Sequence, residues 1–240
     1  MDVISTLQTG GAEGADTEFA RVALEHGHRA HVMTFRGHHG KEAQPQGVVR
    51  KEQSRADLDN VVKNQYERAR KLLWRAPPKS AYVRDLLARN YFAVKHAETV
   101  YAITDFEDAS PADPAPRCNV NISGGTAYAC QMFASVFPDD DVVSELIPLY
   151  VFAQTNSRWY QCRVITSTTA APLFGWEPMS QPPPPPTGTY AGIGARSLKP
   201  SGRQAIRSLY QRPASPKIEP QDEKISPLPS VDSELCSQTQ

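Results

Sequence analysis

Three glycine-bearing junctions constrain this chain more than any other feature. They are Gly10-Gly11-Ala12-Glu13-Gly14-Ala15-Asp16, Gly124-Gly125-Thr126 and Gly192-Ile193-Gly194-Ala195-Arg196. Each follows a short β-prone stretch, and each precedes residues with helical apolar spacing. Glycine admits a positive φ and lets another group approach the backbone closely. A helix that starts at such a turn presents unpaired N–H groups and the positive end of its dipole, which suits an anion. In a parallel sheet all such turns gather at the carboxyl edge of the strands, where ligands bind. The three together predict an α/β, Rossmann-like fold: a mainly parallel sheet flanked by helices, with an anion-binding rim. The alternative is that each glycine only permits a strand to pack tightly on its helix.

The segments between the turns fit alternating strands and helices. Residues 3–8 form a first strand, and Phe19, Val22, Ala23 and Leu24 follow at helical spacing until Gly27 stops them. Residues 30–35 are a second strand, which completes a βαβ unit. Residues 38–46 are polar and loop-like. Ser54, with Asp57 three residues on, caps a helix that carries Leu58, Val61, Val62, Tyr66, Ala69 and Leu73. After Pro77-Pro78 another helix carries Tyr82, Leu86, Leu87, Tyr91 and Val94. Residues 98–104 are a strand on their β-branched and aromatic content. Residues 105–116 read as an acidic surface loop, and 119–123 as a strand leading into the Gly124 turn and a helix through Met132 to Val136. Residues 147–152 are a strong strand, and 158–165 a small edge hairpin or strand. The run Pro182 to Pro186 favours polyproline II, as a stiff spacer or an exposed ligand within a loop over 177–187. Residues 190–194 and a helix over 201–210 form one more βα unit. The domain thus spans 1–211. Residues 212–240, rich in Pro, Ser and Glu, read as a disordered tail.

Charge and cysteine usage narrow the partners. Lys plus Arg equals Asp plus Glu at 26 each, so the net charge is zero. A protein dedicated to duplex DNA carries a basic excess to exchange for phosphate counterions, so nucleic acid is not the favoured partner. Cys118, Cys130, Cys162 and Cys236 show no CxxC pairing, so no metal is expected, and scattered reduced thiols fit a cytosolic or nuclear protein. Met1 opens no basic-then-apolar leader, and no apolar run reaches about 18 residues. The expectation is therefore a cytoplasmic protein with no membrane partner, the nucleus being the alternative. A GxSxG elbow, an HExxH motif and a Walker A lysine are all missing.

The segment TGGAEGADTEFARVALEHGH, Thr9 to His28, resembles the SGGAxGxD segment of DprA/Smf proteins and of the wider SLOG superfamily, which includes the LOG phosphoribohydrolases and nucleotide-sensing domains. LLARNYFAVKHAETVYAIT followed by ISGGTAYACQMF resembles the Arg-containing helix, strand and PGGxGTxxE turn of the LOG enzymes. YAGIGARSLKPSGRQAI resembles the VGSR strand and helix that open many SLOG domains. Here that unit stands last, which looks like a circular permutation, a change that folds with neighbouring termini tolerate. It implies that the strand before Arg196 lies beside the first strand. The resemblance also implies a nucleotide-like ligand with no further cofactor required, and related domains often form homodimers. In the LOG enzymes it implies N-glycosidic cleavage of nucleoside monophosphates, helped by an Arg and a Glu. Arg89 matches the Arg. Gln131 stands where the Glu would be, and an amide cannot supply its charge. Ala127 replaces the third Gly of the turn.

The candidate ligand-binding residues are therefore Gly10, Gly11, Ala12, Gly14, Asp16, Arg89, Asn90, Gly124, Gly125, Thr126, Gln131, Gly194 and Arg196. Arg89 and Asp16 are the catalytic candidates, with Glu13 as a substitute carboxylate. Arg89 would clamp phosphate. Asp16 would hold ligand hydroxyls or satisfy the helix start. His38 and His39 face the expected ligand edge, and Trp159 or Tyr160 would stack on a base or pack in the core. Three functions follow: binding or sensing of a nucleotide-like molecule, hydrolysis of a nucleotide N-glycosidic bond, and DprA-like binding of single-stranded DNA.

Overall fold

The structure, a computed structural model, describes residues 4–38, 44–107, 122–136, 145–165 and 173–211. Its eight strands are β1 (Thr6–Thr9), β2 (Arg29–Phe35), β3 (Val49–Gln53), β4 (Thr99–Thr104), β5 (Glu145–Ala153), β6 (Arg158–Ile165), β7 (Leu173–Pro178) and β8 (Thr189–Gly194). They form one sheet in the order β3-β2-β1-β8-β4-β5-β6-β7. The first six in that order run parallel, and β6 and β7 complete the sheet antiparallel. The expected α/β architecture is therefore present.

Helices cover both faces. On one face lie α1 (Ala15–Glu25) and α6 (Pro200–Tyr210). Phe19, Leu7, Ile206 and Leu209 are wholly buried between them and the sheet. Each such side chain contributes roughly 1.5–3 kcal/mol of burial. The two helices are also joined by Glu18, buried, which pairs with Arg21 on its own helix and with Arg203 of α6 at 2.7 Å. On the other face lie α2 (Arg55–Val61), α3 (Glu67–Leu72), α4 (Ala81–Val94) and α5 (Thr126–Ala134). The expected single helix from Ser54 is interrupted by a π-turn over Val62–Tyr66, and Ser54 caps it by accepting from the Asp57 amide at 3.1 Å.

The C-terminal β8 sits between β1 and β4, as the reversed order of motifs implied. Leu7 pairs with Tyr190, and Tyr101 with Gly192. Tyr190 is fully buried, and its hydroxyl bridges His28 Nδ1 at 2.8 Å and the Tyr210 hydroxyl at 3.0 Å. The end of the domain is thereby sewn to its beginning.

Four expectations need correction. β3 was not foreseen, because its VRKEQ residues are charged and mostly exposed at the sheet edge, so no apolar alternation marks it. Residues 158–165 are not an edge element, since β7 lies outside them. Of the expected strand at 119–123, only Ile122 is seen to pair, in a single bridge with Phe106; residues 119–121 lie outside the described residues. The proline run is a moored connection and not a freely exposed ligand. Pro183 and Pro186, three apart and so on one side of a polyproline helix, are buried, and the Pro184 carbonyl accepts from the Tyr101 hydroxyl at 2.9 Å. The expected tail at 212–240 lies outside the described residues. Among the described residues no helix is long and apolar enough to cross a membrane.

Removing β8 would leave β1 and β4 without a shared neighbour in mid-sheet. A chain truncated after Gly188 is therefore expected to lose cooperative unfolding, read by circular dichroism during urea denaturation. A truncated chain that still unfolds cooperatively would contradict this topology.

Candidate functional site

Parallel strands place their following turns on one rim, and here β1, β4 and β8 open into a single cleft of about 740 Å³. All three predicted turns line it. The first contributes Gly11, Ala12 and Glu13, the second Gly124, Gly125 and Thr126, and the third Gly194, Ala195 and Arg196. The size falls within the roughly 300–1,000 Å³ common for small-molecule sites.

The first turn is already occupied. The Asp16 carboxylate, buried, accepts from the Ala12 amide at 3.2 Å, from the Gly194 amide at 2.9 Å, and from the Gly10 amide. Of the two roles open to Asp16, holding backbone N–H groups is the one the geometry displays. Burial raises its pKa from 3.8 to about 6, against the opposing pull of the Arg89 charge and those three amides. Gly14 and Gly10 serve close packing rather than a ligand. The Ala15 amide after Gly14 donates to the Ala195 carbonyl at 3.1 Å. A Cβ on Gly10 would stand 2.0 Å from Arg89 Nη1 and 2.7 Å from Asp16 Oδ2.

The second turn is open. Gly124 takes a φ of +67°, and a Cβ built there would meet nothing within 4 Å. The helix that starts here, α5, has no side-chain cap hydrogen bond, and the Tyr128 amide turns back to the Gly125 carbonyl at 3.2 Å, which leaves the N–H groups ahead of it without a side-chain cap. The turn is pinned through its carbonyls. Asn90 Nδ2 donates to the Gly125 carbonyl at 3.2 Å, and Arg75 donates to the carbonyls of Gly124 and, at 2.8 Å, Ile122. Asn90 lines the cleft, but its amide nitrogen holds the turn. Arg75 was missed by sequence reading, since nothing in its surroundings signals a contact 49 positions away.

Arg89 is the exceptional group. It lines the cleft at 4% exposure, and among the described residues its Nε and Nη1 find no acceptor. It forms no direct ion pair with Asp16. Burial lowers its pKa from the ordinary 12.5, the charge of Asp16 opposes that shift, and the charge of Arg196 adds to it. Arg196 itself is exposed at the mouth.

The remaining wall is apolar. It consists of Tyr82, Val83, Leu86 and Leu87 from α4, beside His38. His38 stacks on Phe35 with ring centroids 5.3 Å apart. His39 lies outside the described residues. Tyr82, at the start of α4, is 42% exposed and lines the cleft.

Gln131 does not reach the cleft, and of the two roles open to Trp159 and Tyr160 packing is the one observed. Gln131 is fully buried, and Nε2 lies 3.3 Å from Ser135 Oγ. Thr126 and Ala129 are the α5 residues that reach the cleft. Gln131 is five and two positions further on, about 140–160° around the helix from both. Trp159 packs edge-on against Phe152 at 5.2 Å, and Tyr160 packs on Phe106 at 5.1 Å and accepts from Asn156 at 2.8 Å. Neither lines the cleft. Among the described residues no three His, Cys, Asp or Glu side chains gather as metal ligands. Comparison of the chain with protein-family models, with curated proteins and with solved structures finds no match.

Two outcomes test this geometry. Gly10→Ala should displace Arg89 and destabilise the protein by about 1–3 kcal/mol, the usual cost of overpacking, measured by urea denaturation. The raised pKa of Asp16 means that the folded state binds more protons than the unfolded state between pH 3.8 and about 6. Its contribution to stability should therefore fall with rising pH across that window, by on the order of 2–3 kcal/mol. Asp16→Asn should remove that slope; an unchanged slope would mean Asp16 titrates normally.

Proposed function

We propose that the cleft binds a nucleotide or nucleotide-derived small molecule, with phosphate between Arg89 and the start of α5 and the ring against α4. The observation that carries this reading is Arg89 itself. A buried guanidinium with two nitrogens lacking acceptors is unfavourable by several kcal/mol unless an anion arrives to compensate it. An anion at Gly124–Thr126 would meet the N–H groups and the positive dipole end of the α5 start as well. The wall of Tyr82, Val83, Leu86 and Leu87 supplies the apolar surface that a base needs. Together they suit a molecule charged at one end and aromatic at the other. The position of β8 beside β1 supports a circularly permuted member of the SLOG superfamily.

A second reading is N-glycosidic cleavage, favoured by one observation: Glu13 and Asp16 share the cleft with Arg89. A carboxylate beside the ribose stabilises the positive charge that develops there. Gln131, standing where the LOG enzymes carry their Glu, is turned away and supplies nothing.

Calorimetric titration with nucleoside monophosphates and with ADP-ribose tests the binding reading. The intact protein should bind at least one of them, and Arg89→Gln should weaken that binding at least about tenfold. No binding, or equal binding by the variant, would refute it. Chromatography of the same mixtures separates the two readings: released free base, abolished in Glu13→Gln, establishes turnover.

A further inference from the structure

We propose that Asp16 is a built-in anion, seated in the first glycine turn, that restricts the cleft to ligands with one anionic group, held at the α5 turn. This rests on the nucleotide reading above and narrows it. Two turns of the same rim have the backbone chemistry to hold an anion. In the first turn the amides of Gly10 and Ala12 donate to Asp16, which also takes the Gly194 amide of the third turn. The other, at Gly124–Thr126, starts a nine-residue helix without a side-chain cap and leaves open space at Gly124. A second phosphate extending along the rim from α5 toward β1 would meet a carboxylate where a phosphate-binding turn usually offers N–H groups.

The charges around Asp16 fit this division. Arg89 of α4 acts on it through space without a direct bond, so part of that cation's attraction for a ligand is offset before any ligand arrives. Arg196 of the β8–α6 loop and Glu13 of the first turn stand at the mouth, and His38 after β2 stands on the apolar side. A ligand phosphate at α5 thus meets a helix start whose cleft-lining residues, Ser123 to Thr126, include no carboxylate. A second one, carried on to the first turn, meets Asp16 and Glu13. Because Asp16 takes up a proton near pH 6, the restriction should relax in mild acid.

The test uses the whole chain and three probes: a nucleoside 5′-monophosphate, the matching 5′-diphosphate and ADP-ribose. ADP-ribose is the pH probe, since its diphosphate is esterified at both ends and keeps its charge through pH 6. At about pH 7.5 the monophosphate should bind about tenfold more tightly than either diphosphate. Asp16→Asn should erase that preference, and Asp16→Glu, which keeps the charge, should retain it. ADP-ribose should bind the unaltered protein several-fold better at about pH 5.5 than at 7.5, and this gain should vanish in Asp16→Asn. A gain that persists in Asp16→Asn places the pH effect elsewhere and overturns the proposal. So does a diphosphate that binds the unaltered protein as well as the monophosphate does. If Asp16→Asn does not fold, the pH series and Asp16→Glu still decide. If none of the three probes binds any form, the nucleotide reading itself falls, which is a different result from binding without discrimination.

Discussion

A guanidinium charge almost wholly withdrawn from water sets the terms for the whole rim. Arg89 leans over Gly10, the one residue type that leaves room for it, and faces Asp16 without touching it. Asp16 in turn draws in the amides of three residues from two separate chain segments. The first turn, the third turn and α4 are therefore held together by electrostatics around one small backbone. Neither charge is neutralised by a direct ion pair, and two guanidinium nitrogens lack an acceptor among the described residues, which leaves the hydrogen bonding of the pair unbalanced. That imbalance, rather than the mere presence of glycine, is what distinguishes this cleft from an ordinary strand-to-helix joint.

The sheet makes that arrangement possible. Because β8 enters between β1 and β4, turns that are far apart in the chain become neighbours along one edge. Asp16 and Gly194, hydrogen-bonded across the first and third turns, are 178 positions apart in sequence. The buried Tyr190 and Tyr210 hydroxyls and His28 then anchor the closing βα unit at the opposite end of the same strands.

The alternation of strands and helices was legible because it is written in local periodicity. The convergence of the first and third turns on one rim followed from sheet direction; the second joins them although only Ile122 pairs before it, in a single bridge with Phe106. β3 was illegible because VRKEQ is an edge strand that buries almost nothing. Gln131 was misplaced because motif position fixes a residue's place in the chain but not its angle around a helix, and α5 is buried on nearly every side. For Asp16 the sequence allowed two roles, and only geometry could show the carboxylate seated on the amides that a phosphate would otherwise take. Arg75, which clamps the second turn from α3's far end, depends on a fold-level juxtaposition that no local pattern encodes.

The proline run has a consequence of its own. β7 and β8 both run in the direction of β5, so the chain must cross back over the sheet between them, a task that usually falls to a helix. Helices satisfy their own amides; an extended chain laid on an apolar face normally strands them. Five consecutive prolines carry no amide hydrogens at all, so this crossing needs no partner strand, and one tyrosine hydroxyl on a carbonyl suffices to moor it. At about 3.1 Å per residue the run covers some 15 Å of that return path as a stiff, slender tie. Interrupting it with residues that bear N–H groups would introduce donors over Tyr101 and Tyr150 with nowhere to bond, and so would loosen the sheet at the strand that carries the site.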